Sequence, residues 1–153
     1  MMTNILNFTT SYNQFYIADS KFIGDTGAED FWTDNATSDR LAIAKDILGV
    51  RTECYGHING DLVISNQPPI IDDFDLYDHV VEGGLEIKSG NLHILDCPNN
   101  SVELEVKLKP GKYRVRIYSS NLDSIIDDDG DDYYKIEIWP DENTERVALK
   151  RKI

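Results

Sequence analysis

The chain has 153 residues, with 28 acidic side chains against 15 basic ones and a formal net charge of −13. That length fits one domain over residues 1 to 153, whose core needs neither disulfides nor a metal to hold it. A surface this negative is repelled by phosphate backbones and anionic headgroups, which sets nucleic acid and membrane aside as partners and favours a basic protein or a divalent cation.

Most of the sequence reads as β. Tyr12 to Ala18 interleaves polar and apolar residues around Phe15 and Ile17 and predicts an early strand. Thr33 is placed to cap a short helix over Asp34 to Arg40; Leu41 to Leu48 is compatible with its extension, which Gly49 stops. Gly49 to Tyr55 and Asp61 to Ser65 flank Asn59-Gly60, a dipeptide that favours a hairpin turn. Gly83-Gly84 is a bulge or turn signal. Leu85 to Lys88 and Asn91 to Leu95 flank Ser89-Gly90 and predict a second hairpin. Val102, Leu104, Val106 and Leu108 alternate with charged residues, the pattern of a strand with one core face and one wet face.

Lys109-Pro110-Gly111-Lys112 supplies a turn. Two further amphipathic strands follow, on Tyr113, Val115, Ile117 and on Tyr134, Ile136, Ile138, with Pro140 ending the second. Glu145 to Lys152 reads as a frayed helix or an edge strand and forms a basic tail from about residue 146, with Arg146, Lys150, Arg151 and Lys152. Short strands with turn signals between them predict a mainly β fold, a two-sheet antiparallel β-sandwich with one short helix.

Cys54 and Cys97 lack C-x-x-C spacing and fit reduced thiols of an intracellular protein. The first eight residues have no leader-like pattern, and no run approaches the roughly 18 apolar residues of a membrane span, so a cytoplasmic location is expected. His57, His79 and His93 lack metal-ligand spacing, and there is no G-x-S-x-G nucleophile loop or phosphate-cradling glycine loop. Nothing argues positively for an enzyme, and no cofactor is expected.

The strongest bias is a run of aspartates between the last two long strands: Asp123, Asp127, Asp128, Asp129, Asp131 and Asp132. Like charges this close raise one another's pKa and need water, a cation or a basic surface to compensate them. Asp72, Asp73, Asp75 and Asp78 form a second acidic patch. Tyr133, Tyr134 and Trp139 flank the main loop, and aromatics beside acids suit an interface in which the charge steers a cationic partner and the rings anchor it. The expected contact set is therefore Asp127, Asp128, Asp129, Asp131, Asp132, Asp72, Asp73, Asp75, Tyr133 and Trp139. The alternative is calcium held by Asp127, Asp129 and Asp131, whose spacing suits a hard cation. The loop is no EF-hand, because Asp132 stands where a glycine is required and Ile138 where a bidentate glutamate is required.

Ser11-Tyr12-Asn13-Gln14-Phe15, an acidic glycine-bearing loop, and Trp32-Thr33-Asp34 leading into a short helix form one recognisable series. Val102 to Leu108, Pro110-Gly111-Lys112-Tyr113, a strand, the aspartate loop and Asp132-Tyr133 form another. In this order they resemble the competence protein J family of bacterial nuclease inhibitors. The resemblance covers both ends of the chain; residues 66 to 100 have no matching feature, and the tail beyond Pro140 reads as an addition. It implies an inhibitor or immunity-type protein that blocks a nuclease, or another toxin, by direct binding.

Overall fold

Apolar side chains at every second position run through most of the chain. The computed structural model, which describes residues 2–127 and 130–152, folds these runs into two sheets and one lone α-helix. The strands are β1 (Met2–Thr9), β2 (Gln14–Asp19), β3 (Leu41–Ile43), β4 (Ile47–Arg51), β5 (His57–Ile64), β6 (His79–Ile87), β7 (Asn91–Leu95), β8 (Val102–Lys107), β9 (Gly111–Ser120), β10 (Tyr133–Pro140) and β11 (Val147–Lys150). Helix α1 spans Asp34–Asp39, and a 3-10 turn covers Phe74–Leu76. Among the described residues no helix is long and apolar enough to cross a membrane.

One sheet has six strands in the order β1-β5-β10-β9-β6-β11, and the other has five in the order β3-β4-β2-β7-β8. Leu62, Val115, Ile136 and Ile138 of the larger sheet join Phe15, Ile17, Leu48 and Ile94 of the smaller one in a single buried apolar cluster. Each such side chain withdrawn from water contributes roughly 1.5–3 kcal/mol, so this shared cluster is the main source of cohesion between the sheets.

The structure departs from several sequence expectations. The all-antiparallel arrangement fails at one pair: β10 runs parallel to β5, from Tyr133 beside Asn59 to Ile138 beside Ile64. The β9–β10 hairpin sets the direction of β10, and β5 reaches it from a distant part of the chain. Asn59-Gly60 makes no turn, because it lies inside β5. A Cβ on Gly60 would stand 2.2 Å from the Tyr134 carbonyl oxygen, so glycine serves close strand approach rather than chain reversal. Gly83 and Gly84 likewise lie within β6, against Leu41, Ile43 and Thr144, and make no turn.

Gly90 does turn the chain, with φ +84°, but β6 and β7 belong to different sheets. The predicted hairpin is therefore a passage between sheets, as is the step from β8 to β9. Leu41 to Leu48 does not extend the helix. Arg40 adopts the left-handed conformation with φ 63° and closes α1, and Leu41 and Leu48 then enter the core as parts of the β3–β4 hairpin. Thr33 caps α1 as expected, its side chain accepting from the Ala36 N–H at 3.0 Å. The C-terminal segment resolves as edge strand β11, antiparallel to β6.

The face of β9 and β10 turned away from the core is not wet. Segments 65–78 and 140–146 lie over it, the first receiving a bond from Arg116 to the Pro69 carbonyl (3.3 Å) and the second one from Arg114 to the Asn143 carbonyl (3.1 Å). Glu82 accepts from Arg114 Nε at 2.9 Å and from Arg116 Nε at 2.7 Å, while Arg116 Nη1 reaches Glu137 at 3.0 Å. Removing Arg116 would leave Glu137 without its ion pair, and removing Glu82 would do the same to Arg114, whereas the complete set is nearly self-compensating.

The close approach of β10 to β5 yields a test. Gly60→Ala is expected to lower stability by about 1–3 kcal/mol in urea unfolding, because the added methyl meets a backbone oxygen that cannot rotate away. Unchanged stability would show that the pairing is looser than described.

Candidate functional site

The loop between β9 and β10 is built inward at its root, and Asp127 and Asp131 on its two arms are exposed. Asn121 takes a left-handed φ of 57°, turning the chain out of β9. Leu122 is buried, and its N–H donates to Asp78 Oδ2 at 2.8 Å, which ties this loop to the second acidic segment. Ser124 Oγ donates to the Asn121 carbonyl at 2.7 Å and accepts from the Asp131 N–H at 2.8 Å, while Asn121 Nδ2 donates to the Asp131 carbonyl at 3.1 Å. Local side chains thus hold both arms of the loop.

Asp132 is 1 % exposed. Its Oδ2 accepts from the Tyr134 hydroxyl at 2.6 Å and from the Cys54 N–H at 3.2 Å, and the Tyr134 hydroxyl accepts in turn from the Glu53 N–H at 2.7 Å. Burial, then the Asp132 contact, pushes the Tyr134 phenol far above its ordinary range. This carboxyl is a structural anchor and is corrected out of the contact set. Trp139 leaves it too, being 3 % exposed with the Arg116 guanidinium 4.6 Å from its ring centroid.

The remaining expected residues are distributed as follows. Asp127 and Asp131 are exposed, and Asp128 and Asp129 lie outside the described residues. Tyr133 sits at the rim with its hydroxyl on Asp61, whose carboxyl is pushed up chiefly by burial. Asp73 and Asp75 are exposed at the 3-10 turn, where Asp73 Oδ1 caps the Asp75 N–H at 2.9 Å. Asp72 faces the protein. It accepts from the Tyr77 hydroxyl at 2.6 Å and pairs with Lys135 Nζ at 3.2 Å; the Tyr77 bond first, then those from the Asp73 N–H and Lys135, hold its pKa down at about 2.

The basic tail folds back onto the chain's own acids. Arg146 and Arg151 both bind Asp39, and Lys152 Nζ lies 3.1 Å from Asp123. His79, which the sequence left unassigned, locks this closure. Its Nδ1 accepts from the Lys152 N–H at 3.0 Å and its Nε2 lies 2.7 Å from the Asp39 carbonyl, an arrangement that requires a neutral ring with the proton on Nε2. Burial is the main cause of its lowered pKa.

Among the described residues no three His, Cys, Asp or Glu side chains gather as a metal site, and Asp129 of the calcium alternative lies outside them. Cys54 and Cys97 are buried and form no disulfide.

The sequence matches no protein-family model, and no curated protein matches it. Solved structures do match. The first is ComJ from Bacillus subtilis, described as an inhibitor of the DNA degrading activity of NucA, with a TM-score of 0.69 and 17% identity over 92% of this chain and 100% of that one. This chain shares the fold of ComJ. The second is the product described as crocagin biosynthetic gene J, with a TM-score of 0.60 and 17% identity over 93% of this chain and 100% of that one. The ComJ likeness spans the middle of the chain, where the sequence offered no feature to match.

Two measurements test this site. Asp132→Ala strands the Cys54 N–H and the Tyr134 hydroxyl and is expected to cost about 1–3 kcal/mol in urea unfolding; a neutral result would remove Asp132 as the anchor. His79 has a folded pKa below its ordinary 6.5, so its contribution to stability is complete above pH 6.5 and is lost as pH falls toward the lowered value. Melting temperature should therefore fall between pH 7.5 and 5.5, and His79→Gln should flatten that limb; an unaltered limb would place the titration elsewhere.

Proposed function

We propose that this chain is a non-enzymatic protein inhibitor, of immunity type, that blocks a nuclease or another toxin by presenting carboxylates to its basic cleft. The observation that carries the reading is the fold held in common, over 92% of this chain and the whole of the other, with an inhibitor of a DNA-degrading nuclease. The chain acts in the cytoplasm as a single two-sheet sandwich domain, needs no cofactor, and meets a basic protein rather than nucleic acid or membrane.

The arrangement of charge supports the mode of binding. Asp127 and Asp131 stand exposed on a loop whose arms are hydrogen-bonded to each other, and Asp73 and Asp75 stand exposed on a neighbouring segment tied to that loop through Asp78 and Leu122. A preorganised acidic surface loses little conformational entropy on docking. Its field accelerates encounter with a cationic surface and weakens as the Debye length shrinks from about 10 Å at 0.1 M salt to about 3 Å at 1 M. Tyr133 at the rim supplies apolar contact beside the charge.

The test uses the full chain as bait in its native lysate, with purified NucA as a defined second probe. The reading expects a basic nuclease or toxin to be captured and its activity inhibited. The variant D73N/D75N/D127N/D131N, altered only at exposed positions, is expected to associate at least about tenfold more slowly at low salt. The inhibitor reading would fall if no such enzyme were captured or inhibited. Inhibition by the quadruple variant with unchanged association would keep the inhibitor and remove these aspartates from the contact.

A further inference from the structure

At the root of the same loop lies a basic cluster. Two adjoining depressions, of about 520 and 600 Å³, share Arg51, Glu53 and Asp123 in their walls. Around the larger one stand Arg40, Arg51, Arg151 and Lys152, against the carboxyls of Glu53 and Asp123. Four cations thus line it in a chain whose overall charge is −13; Arg40 pairs with Glu53, Arg151 with Asp39 and Lys152 with Asp123, and Arg51 forms no ion pair among the described residues.

Arg40 has the most informative environment. It is the left-handed residue that closes α1, and its side chain is only 4% exposed. Its Nη2 donates to the Arg51 carbonyl at 3.3 Å and its Nη1 lies 3.5 Å from Glu53, but its buried Nε has no hydrogen-bond partner. The Nε is closed to solvent, so what Arg40 gives the depression is its charge, and a planar or tetrahedral oxyanion is the chemistry that a cluster of guanidinium groups satisfies best. Ser38 and, in the adjoining depression, Asn13 and Thr52 add polar groups to the walls. Arg51 is steadied by its own bond to the Thr37 carbonyl at 3.0 Å.

We infer that the depression between α1, β4 and the C-terminal segment is an oxyanion-binding site, taking a phosphate or carboxylate group of a small ligand on Arg40, Arg51 and Arg151. The site stands independently of the acidic contact surface. Glu53 and Asp123 disfavour a second negative group at the rim and favour a ligand that carries a single anionic group into the depression.

The probes are inorganic phosphate and acetate, titrated into the full chain at constant ionic strength set with sodium chloride, with the arginine Nε–H resonances followed by NMR. Saturable displacement of the Arg40 resonance by either anion, and not by chloride, is expected. A response to phosphate alone identifies a phosphate-bearing ligand, and one to acetate alone a carboxylate. The variant R51Q/R151Q, which leaves buried Arg40 in place, is expected to weaken that binding at least tenfold. No displacement by either anion, or equal affinity in a variant that remains folded, would overturn the assignment.

Discussion

The contact of β10 with β5 carries more of this structure than its area implies. Gly60 lets the Tyr134 backbone come close, and the pairing at that point sends the Tyr134 side chain into the core. There its ring packs edge-on against Phe15 of the smaller sheet, with centroids 6.3 Å apart. The hydroxyl continues to the Glu53 N–H and to Asp132, which itself receives the Cys54 N–H. One residue therefore couples the parallel pair, the core between the sheets, the β4–β5 connection and the root of the acidic loop. A satisfied buried network of this kind rigidifies what it touches, and partial loss leaves several donors stranded at once.

The net charge is a poor guide to what a partner meets. Asp39 is occupied by Arg146 and Arg151, Glu82 and Glu137 by Arg114 and Arg116, and Asp72 by Lys135 and Tyr77. These pairs are internal scaffolding. Asp73, Asp75, Asp127 and Asp131 remain exposed on two adjacent segments, and Asp25, Glu29, Asp30 and Asp34 form a further exposed acidic run leading into α1. The tail reinforces this sorting: it spends its cations on Asp39 and Asp123 and collects the residual positive charge beside Arg40 and Arg51.

How far the sequence was legible follows from which interactions are local. The β9–β10 hairpin was readable because alternation and a connecting loop lie within one stretch, and the Thr33 cap because its partner is three residues away. Strand β1 passed unread: its Leu6 and Phe8 face the core, but exposed Ile5 masks the alternation. Asn59-Gly60 misled because the need for glycine arises from Tyr134, which is distant in sequence. Turns at Gly90 and Pro110 were visible, but no local signal distinguishes a hairpin from a crossing between sheets. Arg40, Arg51 and Arg151 come from separate segments, and only folding gathers them.

Asp131 and Asp132 show the same limit at a single peptide step. They are identical in chemistry and adjacent in sequence, yet one is exposed and the other is 1 % exposed. The difference comes from the extended backbone entering β10, which sends successive side chains to opposite faces. Asp132 falls on the face of Tyr134 and Ile136, where two donors await it, and Asp131 on the face of Tyr133. An aspartate run that crosses a strand boundary is therefore two populations, one that fixes the loop and one that the loop displays. Shifting the register of β10 by one residue would exchange them, burying an acid without donors and exposing the apolar core residues of the strand. The parallel pairing at Gly60 opposes that shift, so the same close approach that fixes the core also decides which carboxyls reach the solvent.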